Sequence, residues 1–512
     1  MPLTTSSIPT TRAGTREWLA LVVLTFAVVI LAIDGTVLAL AVPALVADLG
    51  ATTTQILWIG DIYSFMLAGL LITAGNLADR IGRKRLLLIG AAGFGVASAI
   101  AAFSTTADTL IIARALLGVS GAAVMPSTLS LIRAMFQDVA QRTRAIAVWS
   151  AGTVGGAAAG PLVGGALLEN LHWGAVFLIN IPVVIVVVLA GAFLIPESKN
   201  PVTPRVDLLS AFLSILTIVP LVFAVKRSFS YGIDGWIAAT AVLGIVSGVV
   251  FVLRQRRLET PLIDVRLFRI PAFSGAVAAI TLTIFAFTGL LYFFSQYLQL
   301  VRGLGPFLAG VAELPMTVAS MLVVVVVGLL VGRLGRGRAI SSGLTIAAIG
   351  LAALAVAEGL EGYVLIGVAL ALVGLGAGIA MTLGTDAVVS VVPTSRAGAA
   401  ASVSETAYEL GIALGIAVLG SLQVAIYRGA LTLPPELDGQ TAATVRDSLA
   451  GAREALDQNV PLHADVFAHA QHAFTTGVQT ASFIAAALLV VAAIVAWRVI
   501  PSDKTDVAVA AH

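Results

Sequence analysis

Long apolar runs separated by short polar turns set the pattern of this chain. Fourteen runs approach or exceed the roughly 20 apolar residues that cross a bilayer as a helix. They occupy 17–42, 55–77, 85–104, 109–133, 145–168, 174–195, 207–226, 236–253, 271–299, 309–331, 339–357, 363–391, 399–425 and 476–499. In lipid every backbone polar group needs an internal partner, and a helix supplies one within its own segment. The pattern therefore predicts an all-α polytopic membrane protein. One connection, 428–475, is much longer than the others. It carries Pro434, Pro435 and charges of both signs, and residues 441–456 have helical spacing. That connection reads either as a solvated loop or as a cap over one mouth of the bundle.

Composition agrees with the membrane reading. Of 512 residues, 59% are hydrophobic and 11% charged, with a mean hydropathy of +1.03, whereas soluble domains carry about 25% charged residues. The formal charge of +2 gives no case for nucleic acid, because the basic residues lie between spans. There is no cysteine, so disulfides and thiol chemistry are excluded. No small-residue cleavage site follows the first run, which reads as a retained helix. A cytoplasmic N-terminus places 22 of the 29 basic residues on inner segments and 6 on outer ones, with Arg114 inside a span. That bias predicts both termini inside.

The chain repeats itself. Gly75, Asp79, Arg80, Gly82 and Arg83 recur in register as Gly328, Gly332, Arg333, Gly335 and Arg336. Each copy closes the second helix of a set of six. Repeats of this kind mark transporter folds whose sites lie between the halves. The expected organisation is a tail (1–16), a six-helix half (17–198), two linking helices (199–258), a second half (259–500) and a second tail (501–512).

Six acids fall within spans: Asp34, Asp61, Glu313, Asp386, Glu405 and Glu409. An ionised carboxylate at the bilayer centre costs about 2.5–3.5 kcal/mol on insertion scales. Such a group is therefore expected to be paired, protonated or turned to a wet cavity, as a cation or proton site requires. Depth along the helices sorts Asp34, Asp61, Glu313 and Arg114 into an outer cluster, and Asp386, Glu405 and Glu409 into an inner one. Arg114 is a permanent cation that needs a counter-charge, supplied by Asp34 or Asp61. For each acid the bland alternative is a structural ion pair or a helix-end position. Gly156, Gly160 and Gly164 recur every four residues and permit close helix approach, and Pro161 removes a backbone bond. Trp58, Tyr63, Phe65, Trp149, Phe287, Tyr292, Phe294 and Tyr408 offer faces for a cation, or simply pack.

The glycine-basic string at 75–85 resembles the loop signature of the major facilitator superfamily. Arg114 with Gly118 is similar to its fourth-helix motif, and Gly156, Gly160, Pro161, Gly164 and Gly165 match its antiporter motif on the fifth helix. Asp34, Thr36 and Pro43, with Trp173, Phe177, Asn180 and Pro182, resemble the fourteen-helix drug:proton antiporters. Val392–Pro393 through Gly398, then Gly411 and Gly415, are similar to their thirteenth helix. Asp34 with Asp61 points to the quaternary-ammonium and dye exporters of the QacA, SmvA and LfrA kind. Two positions depart from the pattern: Ala39 replaces a polar residue, and Ser320 stands where an acid is usual, with Glu313 nearby. The resemblance implies proton-coupled efflux of lipophilic cations and a latch between Asp79 and residues 398–402. A tight fifth-helix seam against leak is implied too. Export of a natural product, antibiotic or lipid-like solute stays open, as does a sensor with the same fold. No phosphate-binding loop of an ATP-driven pump is present, and nothing in the sequence calls for an enzyme, cofactor or metal site. Partners are expected to be small lipophilic cations, protons and membrane lipids, around a monomer.

Overall fold

In the computed structural model, residues 13–502 are described apart from 200–206, 232–233, 260, 262, 391–396 and 458. The chain runs through α1 (Thr15–Leu49), α2 (Thr53–Ile81), α3 (Arg83–Ala102), α4 (Ala107–Met135) and α5 (Val139–Asn170). The sixth span is broken into α6 (Ala175–Leu178) and α7 (Asn180–Leu194), and α8 (Leu208–Tyr231) and α9 (Gly235–Arg257) follow. Then come α10 (Pro271–Gln296), α11 (Pro306–Leu334), α12 (Arg336–Ala357), α13 (Val364–Ser390) and α14 (Ala397–Leu414). A wide turn at Gly415–Leu419 joins α14 to α15 (Gly420–Ala430), and α16 (Gly439–Asp447) and α17 (Leu449–Ala455) precede α18 (Pro461–Val499). Among the described residues, thirteen spans are long and apolar enough to cross a membrane. The remaining apolar run of the sequence falls on α5 (Val139–Asn170).

Helices α1–α7 pack mainly on one another, as do α10–α18, while α8 and α9 pair with each other and lean on α2. The two bundles meet where α5 faces α11, α2 faces α14 and α1 faces α10. The outer side of α9 stays apolar and exposed, with Val246, Val249 and Val250 each near half-exposed, as a lipid-facing helix requires.

Both copies of the repeated string build the same object. Gly82 at φ +118° and Gly335 at φ +77° each separate two consecutive helices, in a backbone region that L side chains avoid. The first turn docks on the end of α7 and the stretch after it: the Arg83 N–H donates to Ser198 O (3.0 Å) and Lys84 Nζ to Ala192 O (2.6 Å). The second docks on the stretch after α18: the Gly337 N–H donates to Pro501 O (3.2 Å) and the Arg338 N–H to Ser502 Oγ (3.1 Å). This end is called the turn face below.

At the opposite end, connection 428–475 is a cap and not a solvated loop. Val445, Leu449 and Ala452 are buried, and Tyr427 donates to Val445 O (2.6 Å). Asp447 accepts from the Thr53 N–H at the start of α2 (2.8 Å) and pairs with Arg428 of α15 (2.9 Å). The last helix begins at Pro461, well before the apolar run at 476, because its first turns are polar on their exposed side.

Candidate transport site

Asp34, half-way along α1, is fully buried and holds the centre of the first bundle. Its Oδ2 accepts from Arg114 Nη1 on α4 at 2.5 Å. Its Oδ1 accepts from Asn180 Nδ2 at the start of α7 (3.3 Å), and the same amide donates to Ser98 Oγ on α3 (3.0 Å). Arg114 also donates from Nε to Ile59 O on α2 (3.1 Å) and lies 4.8 Å from the centre of the Tyr63 ring. One ion pair therefore ties together α1, α2, α3, α4 and α7. The pair is sealed from water, so its Coulomb gain is offset by desolvation, and removing one partner is the costly event. Of the two partners expected for Arg114, Asp34 is the one observed. Asn180 and Ser98 are additions that spacing did not reveal, although Asn180 lies in a string already singled out.

Arg114 and Tyr63 line a cavity between the bundles with about 950 Å³ of unfilled space. Across it stand Phe287 and Leu291 of α10 and Tyr408, Glu409 and Ile412 of α14. The Glu409 carboxyl is buried, takes a hydrogen bond from Ser64 and leaves Oε2 with no partner. Of the eight aromatics considered, Tyr63, Phe287 and Tyr408 reach this cavity. Trp58 instead packs on Phe65 and Phe223, and Phe294 stacks on Tyr297. Trp149 donates to Thr128 Oγ1 (3.2 Å), and Tyr292 donates to Ile56 O (2.9 Å).

The split into outer and inner clusters does not survive. Glu409 shares the cavity with Arg114, because α14 packs against α2 and α10 and turns this carboxyl into the space between the bundles. Glu405 is half-buried one turn earlier. Asp386 leaves the group: it is exposed and pairs with Arg336 of the second turn (2.9 Å). Asp61 is buried on α2 beside Tyr292. Glu313 is buried on α11 near Tyr363, with Oε1 unpartnered, and does not line the cavity. Ser320 bonds Thr317 O within its own helix. The expected latch between Asp79 and residues 398–402 lies outside the described side chains.

The fifth-helix glycines divide between two partners. Gly156, Gly160 and Gly164 face α1, and a methyl on Gly156 would lie 2.7 Å from Val29 O. Gly165 faces α11 in the other bundle, where a methyl would lie 2.7 Å from Phe307 Cα. A methyl on Gly310 of α11 would in turn lie 2.5 Å from Pro161 O. With Tyr292 on Ile56, Gln299 on Leu40 (3.2 Å) and Asp447 on Thr53, these contacts shut the cap face. Overpacking costs about 1–3 kcal/mol, so Gly165→Val is expected to raise the open population of this face roughly tenfold. The cysteine-free chain makes the measurement simple: a single Leu57→Cys, buried here, is expected to react correspondingly faster with a maleimide.

One buried acid escaped sequence reasoning because it falls in a link between spans. Glu358, just after α12, is enclosed with both carboxyl oxygens unpartnered. Burial pushes its carboxyl well above the ordinary range, against the opposing Arg302. Above pH about 4.5 the unfolded chain releases this proton and the folded chain keeps it, so stability falls as pH rises. Glu358→Gln is expected to melt with wild type at pH 4 and above it at pH 8. The gap should widen by about 1.4 kcal/mol per pH unit until the folded carboxyl ionises.

Residues 24–416 match the family model described as Major Facilitator Superfamily. The chain belongs to the major facilitator superfamily. It is 42% identical to the multidrug efflux pump LfrA of Mycolicibacterium smegmatis, over 95% of this chain and 97% of that protein. It is 37% identical to the methyl viologen resistance protein SmvA of Salmonella typhimurium, over 94% and 98%. The tetracenomycin C resistance and export protein of Streptomyces glaucescens is 33% identical over 94% and 91%. Among solved structures, a bacterial homologue of the human lysosomal transporter Spinster, in an inward-facing and unoccupied conformation, superposes with a TM-score of 0.64. It is 17% identical, over 96% of this chain and 99% of that one, a likeness of fold alone. The chain is thus a membrane-embedded transporter of this superfamily, with the fourteen-helix form of its fold.

Proposed function

We propose that this transporter exports lipophilic cations, quaternary ammonium compounds and ethidium-like dyes among them, in exchange for protons. The observation that carries the reading is Glu409, a buried carboxyl with one unpartnered oxygen on the wall of an aromatic-lined cavity. A flat cation gains there from Glu409 and from the Tyr63, Phe287 and Tyr408 faces, contacts worth about 2 kcal/mol or more each when desolvated. The names of LfrA and SmvA support drug efflux. Cation choice and proton coupling rest on the site.

In this cycle the halves 17–198 and 259–500 rock about the cavity, with both termini cytoplasmic. Drug enters from the turn face while Glu409 is ionised and Asp34 holds Arg114. Opening of the cap face admits protons to Glu409 and to the Asp34 pair, which lowers their attraction for the cation and releases it outward. Deprotonation toward the turn face resets the site. The exchange is linkage: whatever proton binding does to drug affinity, drug binding does to proton affinity.

Tetraphenylphosphonium binding to the purified protein tests this. Affinity is expected to fall as pH drops, by up to tenfold per unit for one competing proton, and Glu409→Gln is expected to bind weakly at every pH. Binding unchanged by pH and by that substitution would remove the cation-for-proton reading. The antibiotic-export relative motivates the second reading, an uncharged polycyclic solute, which would bind Glu409→Gln as well as wild type.

A further inference from the structure

Beyond the transport cavity, the turn face carries a basic pocket that no part of the cycle uses. Its walls are Arg256, at the end of α9, and Val265, Arg266, Phe268 and Arg269, in the link to α10. The scaffold is pinned. Arg254 makes two bonds to Asp207 (2.9 and 3.2 Å), Gln255 donates to Ser210 Oγ (2.7 Å), and the Ile263 N–H donates to Gln255 Oε1 (3.3 Å). Leu267 is buried, Phe268 meets Phe273 edge-on at 5.3 Å, and Ser274 donates to Phe268 O (2.7 Å). These ties present the three guanidiniums outward together. Among the described residues none of the three is paired with a carboxylate, and the neighbouring Asp264 accepts the Arg266 backbone N–H (3.1 Å).

We propose that this pocket holds the phosphate headgroup of an anionic phospholipid. Three unpaired guanidiniums call for a phosphate, which arginine grips with parallel hydrogen bonds. The lipid source follows from what adjoins the pocket. Phe268 is 43% exposed, and Val249 and Leu253 on the lipid-facing side of α9 are 53% and 48% exposed, giving acyl chains an apolar wall directly beside the charges. Basic residues at a membrane surface each attract anionic lipid by a factor of roughly five.

The test is native mass spectrometry of the delipidated protein titrated with dioleoyl-phosphatidylglycerol, dioleoyl-phosphatidylcholine or inorganic phosphate. Wild type is expected to bind the phosphatidylglycerol at least tenfold more tightly than the phosphatidylcholine. The triple variant Arg256→Gln, Arg266→Gln, Arg269→Gln is expected to lose on the order of 100-fold in that affinity, and lysine at the same three positions to recover part of it. A control with equal charge loss on the same face, Arg144→Gln, Arg333→Gln, Arg338→Gln, is expected to lose less than about threefold, because none of these three lines the pocket and separated surface charges are largely screened. Equal losses in the two triple variants would overturn the site, as would equal affinity for the two lipids. Inorganic phosphate binding as tightly as phosphatidylglycerol would assign it to a free anion.

Discussion

Asp34→Asn is expected to abolish transport and to lower stability by about 3–5 kcal/mol, the usual cost of leaving a buried charge without its partner. The carboxylate is what Arg114 faces at 2.5 Å, and it holds Asn180 in place at the same time. An asparagine fills the same volume and keeps one oxygen, so the loss reports charge and not packing. Adding Arg114→Gln removes the stranded cation and is expected to return most of the stability without restoring flux. Thermal melting of the two variants beside dye efflux separates these outcomes. A singly substituted Asp34→Asn protein that melts and transports like wild type would show that the pair is dispensable.

Glu409→Gln is expected to behave in the opposite way. Its carboxyl has no cationic partner among the described residues, only Ser64, so neutralising it costs little stability and relieves a desolvation penalty. Transport of a lipophilic cation is expected to fall by roughly 100-fold, the equivalent of losing one desolvated charge contact of about 3 kcal/mol. What remains should be insensitive to pH. The contrast between the variants is the signature of the proposed arrangement, in which one acid holds the bundle together and the other meets the solute.

Much of the architecture was legible in the pattern of apolar runs, because lipid punishes every unsatisfied backbone group and leaves helices as the solution. The repeated glycine-basic string announced two equivalent turns, and both glycines do take positive φ. Helix ends were less visible where polar turns continue a helix beyond the bilayer, as at Pro461–Val499. The docked cap was hidden for a related reason: its buried positions, Val445, Leu449 and Ala452, are spaced among charges that face water. At the site, depth and charge balance together narrowed the Arg114 partner to two acids, and geometry chose Asp34. Depth along a helix put Asp386 at the turn-face end, where it pairs with Arg336, but it did not bring Glu409 beside Arg114, since it takes no account of which way a side chain turns. Asn180, Ser98 and Glu358 carry no intrinsic sign of burial or partnership. Only the meeting of distant helices gives them one.

The proposed cycle exchanges a proton for a cation at Glu409, in the cavity beside the Asp34–Arg114 pair. Ethidium efflux from proteoliposomes under an imposed pH gradient addresses it most directly. Wild-type flux is expected to rise steeply when the drug-releasing side is made acidic, and Glu409→Gln to show little flux and no gradient dependence. Wild-type flux indifferent to the gradient, or a Glu409→Gln protein as gradient-driven as wild type, would contradict the account.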